Sequence, residues 1–356
     1  MVVRTVTKPR DQLVSLGDTL YYHCICRCVS RAFLCGNDGK QSFEYRRGWI
    51  ADRIKQLSVI YTIDTAAYAV MSNHYHIVVN IDAERASELS DADMIERWLN
   101  LFKAPPLLLR HMVEPLTNQA ELDVVNELVQ KWRSRLCDIS WYMRTLNEHI
   151  ARKANAEDHC TGHFWESRFK SQTLLDETAL LSCMAYVDLN PIRASMAQTP
   201  AQSDYTSIQE RLGIGPEKHD NKSVIEANQK PVELMAFAGS IKNDTPNNQL
   251  PFTFCDYLEL VDWTGRIVRE DKSGYIRANT PPILQQFNID PQQWLANCTH
   301  IGRSYTSCIR DILLPALQRN FYLAIGPVAK LEQFANHLQQ KWLKGIAACR
   351  ALYAPG

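Results

Sequence analysis

The first 85 residues alternate between β-prone runs and one helical pattern. The segment 20–28 is aromatic and β-prone and contains neither Pro nor Gly, which predicts a strand. Farther on, apolar residues recur at helical spacing between charged positions and predict an amphipathic helix: Trp49, Ile50, Ile54 and Leu57. Two more β-rich runs, 66–71 and 74–81, are joined by Ser72 and Asn73 alone, a connection short enough for a hairpin.

A long apolar register follows, in which steps of three and four alternate: Leu122, Val125, Val129, Trp132, Leu136, Ile139, Met143, Leu146 and Ile150. This register predicts one helix from about 120 to 155, roughly 50 Å long at 1.5 Å per residue. Either its apolar side packs on the sheet, or its first half projects and pairs with another helix.

A further strand is predicted to end near Leu175, and Asp176 is placed to cap a helix that Asn190-Pro191 closes. The order of elements is then β-α-β-β-α-β plus one helix. This order is typical of a ferredoxin-like split βαβ domain, so we expect an α+β fold with an antiparallel sheet and a long helical insertion.

Composition changes near residue 213, so we divide the chain into residues 1–212, a linker region 213–250 and a mostly helical region 251–356. Within the last two we expect a helical stretch at 224–238, a short β-like piece at 257–263, a helix opened by Asp290-Pro291 and a last helix ending near Leu343. This last region either contributes a recognition helix, with Arg303 and Arg310 near phosphates, or only packs on residues 1–212 or mediates dimerisation.

The chain has 356 residues, 46% of them hydrophobic, and 11 cysteines without a Cys-x-x-Cys pair. This composition excludes a disordered or collagen-like chain. No apolar run approaches the length of a membrane span, and the first residues lack the apolar core of a secretion signal. We therefore expect reduced thiols and a cytoplasmic, nucleoid-associated protein. Cys24, Cys26 and Cys28 are predicted to share one face of a strand. There they are either small buried hydrophobic residues or a soft-metal or redox site.

The net charge is zero, with 39 basic and 39 acidic side chains, so no argument for nucleic acid follows from the total. Locally, residues 1–58 hold ten Lys or Arg against five Asp or Glu, and the stretch 131–170 is also rich in Lys and Arg. Such an excess can follow a phosphate backbone or can be an ordinary solvated face.

Two short patterns carry candidate chemistry. In His74-Tyr75-His76, alternation along a strand places both imidazoles on one face, close enough to share a cation. Tyr186 and Asn190 are four residues apart on a helix, which places a phenol and an amide on one side a turn apart. Each pattern taken alone favours a structural role: hydrogen-bonded histidines on a sheet face, a core tyrosine and a helix-ending asparagine.

Taken together, three segments resemble the REP-associated tyrosine transposases of the single-tyrosine HUH superfamily, in which U is a bulky hydrophobic residue. They are Met71-Ser-Asn-His-Tyr-His-Ile-Val-Val79, Gly162-His-Phe-Trp-Glu-Ser-Arg-Phe-Lys170 and Tyr186-Val-Asp-Leu-Asn-Pro-Ile-Arg-Ala194. The resemblance covers roughly residues 15–212. Two features depart from that family: an amide at Asn190 is a weaker ligand than a carboxylate, and the segment 84–140 is longer than the family core requires.

The resemblance implies roles for individual residues. His74 and His76 would bind Mg²⁺ or Mn²⁺, Asn190 would take the third-ligand position, and Tyr186 would attack a phosphate of single-stranded DNA to form a 5′-phosphotyrosine. Cations beside the three segments would hold phosphates: Arg27, Arg31, Arg168, Lys170 and Arg193. Trp165 and Phe169 would either stack on unpaired bases or fill the core beneath the sheet.

We therefore expect a DNA transposase that nicks and rejoins single-stranded or hairpin DNA, with palindromic repeats as its substrate. We expect no membrane association and a monomer or homodimer. Two alternatives stay open. A replication initiator or relaxase would use the same chemistry, although the chain has no Gly-x-x-x-x-Gly-Lys-Ser/Thr motif. The other alternative is a domesticated protein that keeps the fold and binds hairpins without cleaving them.

Overall fold

The computed structural model describes residues 14–29, 42–213, 234–239, 249–267, 273–281 and 323–340, with Leu343, Ile346 and Cys349. The described strands are β1 (Tyr21–Arg27), β2 (Ile63–Val70), β3 (His74–Ile81), β4 (Lys170–Leu174), β5 (Ala236–Phe237), β6 (Gln249–Leu250) and β7 (Ala324–Ile325). The described helices are α1 (Arg46–Ile60), α2 (Ala83–Glu88), α3 (Asp91–Leu99), α4 (Pro106–Val113), α5 (Gln119–Leu136), α6 (Ile139–Glu157), α7 (Glu177–Asp188), α8 (Asn190–Arg193), α9 (Ser207–Arg211), α10 (Phe254–Arg266) and α11 (Val328–His337).

The main sheet has the strand order β2-β3-β1-β4-β7. Its first four strands are antiparallel, with β1 between β3 and β4, and α1 forms the connection from β1 to β2. This is the split βαβ arrangement, and it confirms the predicted α+β class. β7 adds a short parallel strand beside β4, so a segment from the last part of the chain completes the sheet edge.

The two faces of the sheet bury different side chains because successive residues of a strand point to opposite sides. On one face, Tyr22, Cys24, Cys26 and Cys28 of β1 pack in a core that includes residues of α1 and α6. On the other, Val78 and Leu174 pack with α7. The three cysteines are buried and carry no disulfide, in agreement with the prediction of small buried hydrophobes.

The single helix predicted from about 120 to 155 is two helices, so that prediction is wrong. α5 ends at Leu136 and α6 begins at Ile139, with Asp138 accepting hydrogen bonds from the backbone N–H groups of Ser140 and Trp141. An aspartate that caps a helix start competes with continuation of the helix, and apolar spacing does not register this. The first half packs within the chain, since Val125, Val129 and Trp132 are buried.

Other boundaries also differ from the sequence-based expectation. The β-like piece at 257–263 lies inside α10, which Thr253 caps and whose buried positions are spaced as on a helix. Residues 236–237 form β5 rather than the end of a helix. The chain continues past Asn190-Pro191 into α8, whose first turn accommodates the proline.

The predicted helix at Asp290-Pro291, with Arg303 and Arg310, lies outside the described residues. Within the part of the chain that the structure describes, no helix is both long enough and apolar enough to cross a bilayer.

Segments after residue 212 pack against α7, so they share a core with the elements before it. Asp188, at the end of α7, is fully buried and accepts hydrogen bonds from the Tyr257 hydroxyl at 2.5 Å and the Ser207 hydroxyl at 2.6 Å. The backbone N–H of Ile208 donates to the same carboxylate. α9 and α10 are thereby both attached to α7.

Arg193, in α8, makes a second attachment. Its guanidinium is buried and donates to the backbone carbonyls of Thr264 at 2.6 Å and Ile267 at 2.7 Å. These carbonyls lie at the end of α10, where the Thr264 carbonyl also accepts the Ile267 N–H and where a cation is favoured by the helix dipole.

We expect Arg193→Ala to lower the free energy of unfolding by about 2–4 kcal/mol, because it leaves buried carbonyl groups of α10 without their charged donor. Denaturant unfolding followed by circular dichroism measures this loss. Arg168→Ala removes an exposed cation and serves as the matched control, with a change of less than about 0.5 kcal/mol. Equal stability of the two variants would contradict the structural role given to Arg193.

Candidate active site

The pairing of β1 with its two neighbours brings charged and imidazole side chains together on the face that α7 covers. Ile25 lies opposite His76 on β3 and opposite Lys170 on β4, and Arg27 lies opposite His74. Directly opposed residues of antiparallel strands share a face. Arg27 is therefore the direct neighbour of His74, and Lys170 lies on the same face two strands away from His76.

The histidine pair lies at the beginning of β3. The ring centroids of His74 and His76 are 5.0 Å apart and their planes cross at 70°. His74 is partly exposed, and its Nδ1 lies 2.6 Å from Oδ1 of Asn73. His76 is only 2% exposed. As predicted, both imidazoles lie on one side of the strand, one toward solvent and one toward the interior.

Tyr186 approaches this pair from α7. Its ring centroid lies 5.5 Å from that of His76, with the planes nearly perpendicular at 86°. α7 begins at Glu177, where the Asp176 carboxylate accepts a hydrogen bond from the Ala179 N–H, as the sequence predicted. The phenol is partly buried, so it stands at the border between the core and solvent.

A third histidine, His23, belongs to the same cluster and was not predicted from the sequence. Its Nε2 lies 3.0 Å from Nδ1 of His76, and its ring centroid lies 6.1 Å from that of Tyr186. Burial lowers the pKa of His23 to about 4, partly opposed by its hydrogen bond with Gln172, so the ring is neutral at pH 7. The available signal was weak: His23 is an isolated histidine on the strand face opposite the cysteines.

Asn190 is the first residue of α8, four positions after Tyr186, and is 9% exposed. Its amide nitrogen is buried and has no hydrogen-bond partner among the described residues. Rotation of the amide by 180° presents an oxygen at the same place, so the residue has the donor type that the sequence suggested, and its role as a ligand stays a prediction.

Two imidazole nitrogens and one amide oxygen are a mixed donor set that suits Mn²⁺, and suits Mg²⁺ less well because Mg²⁺ prefers oxygen ligands. The residues present therefore fit a divalent cation by donor type. Within the described ranges, no group of three or more His, Cys, Asp or Glu side chains is arranged to hold a metal.

The five cations predicted to contact DNA lie in different surroundings. Arg27, Arg168 and Lys170 are exposed, and the register of β1 places Arg27 opposite His74 and Lys170 opposite Ile25, on the same face of the sheet. Arg193 is buried at the end of α10, a place suited to structural bonding rather than to phosphate contact. Arg31 lies outside the described residues.

The two aromatic residues of the segment 162–170 pack inward. Phe169 is 8% exposed and Trp165 packs edge-on against Tyr75 at 5.7 Å between ring centroids. The Trp165 Nε1–H donates to the backbone carbonyl of Asn147. Both side chains therefore occupy core positions, the second of the two alternatives.

The α6 part of the basic stretch 131–170 contributes cations to the far side of the sheet, away from Tyr186. Arg144, Arg152 and Lys153 of α6 line a cavity of about 680 Å³ together with Arg53 of α1. Arg144 and Arg152 both form ion pairs with Glu148. Contact of this stretch with phosphates stays a prediction.

Comparisons with known proteins give one structural similarity. Neither a family model nor a curated protein sequence matches the chain. The fold is similar to that of a solved structure of a REP-associated tyrosine transposase bound to a REP hairpin, with 10% sequence identity and a TM-score of 0.33. The similarity covers 58% of this chain and 87% of that one. A similarity of this size decides nothing about what this chain does.

Proposed function

We propose that this protein is a divalent-metal-dependent endonuclease and strand transferase that acts on single-stranded or hairpin DNA through a tyrosine nucleophile. One observation carries the proposal: the Tyr186 ring lies 5.5 Å from the His76 ring, which itself lies 5.0 Å from the His74 ring, at a border between core and solvent. A hydroxyl beside two neighbouring imidazoles places a nucleophile next to groups that can bind a divalent cation, a combination that supports metal-assisted phosphoryl transfer.

In the proposed reaction the Tyr186 oxygen attacks the phosphorus of a phosphodiester. A bond forms between the phenol oxygen and phosphorus, and the bond from phosphorus to the 3′ oxygen breaks. The proton lost by the phenol is balanced by protonation of the released 3′ hydroxyl. Because the 5′ phosphate stays attached to Tyr186, attack by a 3′ hydroxyl of another strand can reverse the reaction and join the ends.

His74 and His76, with Asn190 as the oxygen donor, would hold the cation. A divalent cation bound there polarises the scissile phosphate as a Lewis acid. The α7 helix orients the phenol, since Asp176 caps its start and Asp188 attaches its end to α9 and α10. Arg27, Arg168 and Lys170 are exposed and would bind backbone phosphates, which carry no sequence information.

We expect Tyr186→Phe to form no covalent adduct with DNA while binding it with unchanged affinity, because only the reacting oxygen is removed. The substrate is a pool of hairpin oligonucleotides with random single-stranded flanks and a 3′ fluorophore, incubated with Mn²⁺. The 3′ label follows the fragment whose 5′ phosphate joins the tyrosine, so an adduct that survives SDS is fluorescent on a denaturing gel.

Tyr21→Phe is the matched control, since Tyr21 also packs partly buried against the α7 core and loses the same atom. It should form adduct at the wild-type level. Adduct formation by the Tyr186 variant would assign the nucleophile to another residue. Binding of hairpins by the wild type without adduct from any pool member would favour the non-cleaving alternative.

We expect His74→Ala to abolish Mn²⁺-dependent cleavage with little loss of stability, because His74 is partly exposed and its truncation leaves no enclosed cavity. Mn²⁺ affinity, measured by the electron paramagnetic resonance signal of the free ion, should fall by more than the roughly 10- to 100-fold typical of an outer-shell change. His76 is buried, so His76→Gln is the appropriate variant there.

His163→Ala provides the control for the histidine variants, because His163 is exposed in the segment before β4. It should bind Mn²⁺ and cleave as the wild type does. Wild-type protein that cleaves equally well with and without divalent ions would exclude the metal-binding role of His74 and His76.

A further inference from the structure

Three buried polar side chains form a row across the sheet, on the face covered by α7. Gln172 of β4, His23 of β1 and His76 of β3 are 1%, 1% and 2% exposed. His23 lies between the other two: its Nδ1 is 3.4 Å from Oε1 of Gln172 and its Nε2 is 3.0 Å from Nδ1 of His76. The rings of His23 and His76 are nearly parallel, at 16°.

The contacts among Gln172, His23 and His76 determine which nitrogen of each imidazole ring carries the proton. A neutral imidazole has one N–H donor and one acceptor nitrogen, and the two facing nitrogens of His23 and His76 need one proton between them. In the structure the amide of Gln172 is oriented with its oxygen, an acceptor, 3.4 Å from Nδ1 of His23, and the proton positions follow from this orientation. Nδ1 of His23 is therefore the donor, Nε2 of His23 is the acceptor, and Nδ1 of His76 carries the proton it donates.

This arrangement decides which nitrogen of His76 can bind a cation. With its proton on Nδ1, His76 has its lone pair on Nε2. A metal-binding histidine is commonly oriented in this way, because a partner on the second ring nitrogen fixes both tautomer and ring direction and makes the ligand more basic.

We propose that His23 is a positioning residue for divalent-cation binding: it accepts a hydrogen bond from His76, Gln172 fixes its own tautomer, and His76 is held with Nε2 available as ligand. This inference rests on the proposed function and extends it to two residues outside the three motif segments. His23 touches neither substrate nor cation and acts only through His76.

The test measures Mn²⁺ affinity without DNA, so it does not depend on cleavage. His23→Leu replaces the imidazole with an apolar side chain of similar size and so removes the nitrogen that accepts the hydrogen bond from His76. We expect the Mn²⁺ dissociation constant to rise roughly 10- to 100-fold. His23→Gln retains an amide oxygen that can accept from His76 and should recover most of the affinity. Thermal unfolding of each variant verifies the fold.

Thr173→Val is the matched control, because Thr173 is a buried polar residue on β4 whose side chain faces the opposite side of the sheet from Gln172. A purely structural role for His23 predicts that His23→Leu and Thr173→Val both lose stability while folded protein binds Mn²⁺ normally. That result would overturn the inference, as would failure of His23→Gln to bind better than His23→Leu.

A second measurement covers the case in which His23→Leu does not fold. Nitrogen-15 spectra of histidine-labelled wild-type protein report the tautomer of each ring, with His76 assigned from the His76→Gln variant. We expect the Nδ1–H tautomer for His76, and the Nε2–H tautomer would overturn the inference. If the wild type binds no Mn²⁺ at all, the proposed function fails; if it binds Mn²⁺ and His23→Leu binds equally well, only the positioning role fails.

Discussion

The register between β1 and β3 is the constraint on which the candidate site depends. It sets Arg27 opposite His74 and Ile25 opposite His76, so that His23, two residues earlier on β1, meets His76 diagonally. A shift of one residue would move every side chain of β1 to the other face. Tyr22, Cys24 and Cys26 would then meet α7, and His23 would enter an apolar core. Burial of these apolar residues beside α1 and α6 therefore fixes the position of the histidines without touching them.

The position of Tyr186 depends on a second constraint, the attachment of α7 at its end. Asp188 follows Tyr186 by two residues, a rotation of roughly 200° on a helix, so one side chain faces the sheet while the other faces α9 and α10. Burial raises the pKa of Asp188 to about 6, opposed by hydrogen bonds from Ser207 and Tyr257. A buried carboxylate is tolerated when its oxygens are satisfied, and here three donors satisfy it. The region after residue 212 thus holds the helix that presents Tyr186.

The sequence predicted those parts of the molecule whose cause is local. The four antiparallel strands and the cap at Asp176 follow from side-chain alternation and from residues adjacent in the chain. The break at Asp138 and the helical state of 257–263 were missed, because apolar spacing alone does not distinguish a capped junction from continuation, nor a short buried helix from a strand. His23 was missed for another reason. Its importance arises from pairing with residues 53 and 149 positions away, and no local pattern contains that information.

The solvent exposure of the candidate site falls from its rim to its interior within a few side chains. Arg27 and Lys170 are exposed, His74 and Tyr186 are partly buried, and His76, His23 and Gln172 are enclosed. Charges at the exposed rim are screened by salt over a Debye length of about 8–10 Å, whereas hydrogen bonds among enclosed groups are screened much less. In the proposed reaction the exposed rim and the enclosed row of side chains therefore have different roles. The rim attracts the DNA backbone, an effect that weakens with ionic strength. The enclosed row fixes the ligand from the interior, so the approaching phosphate and the groups that position His76 do not compete for the same space.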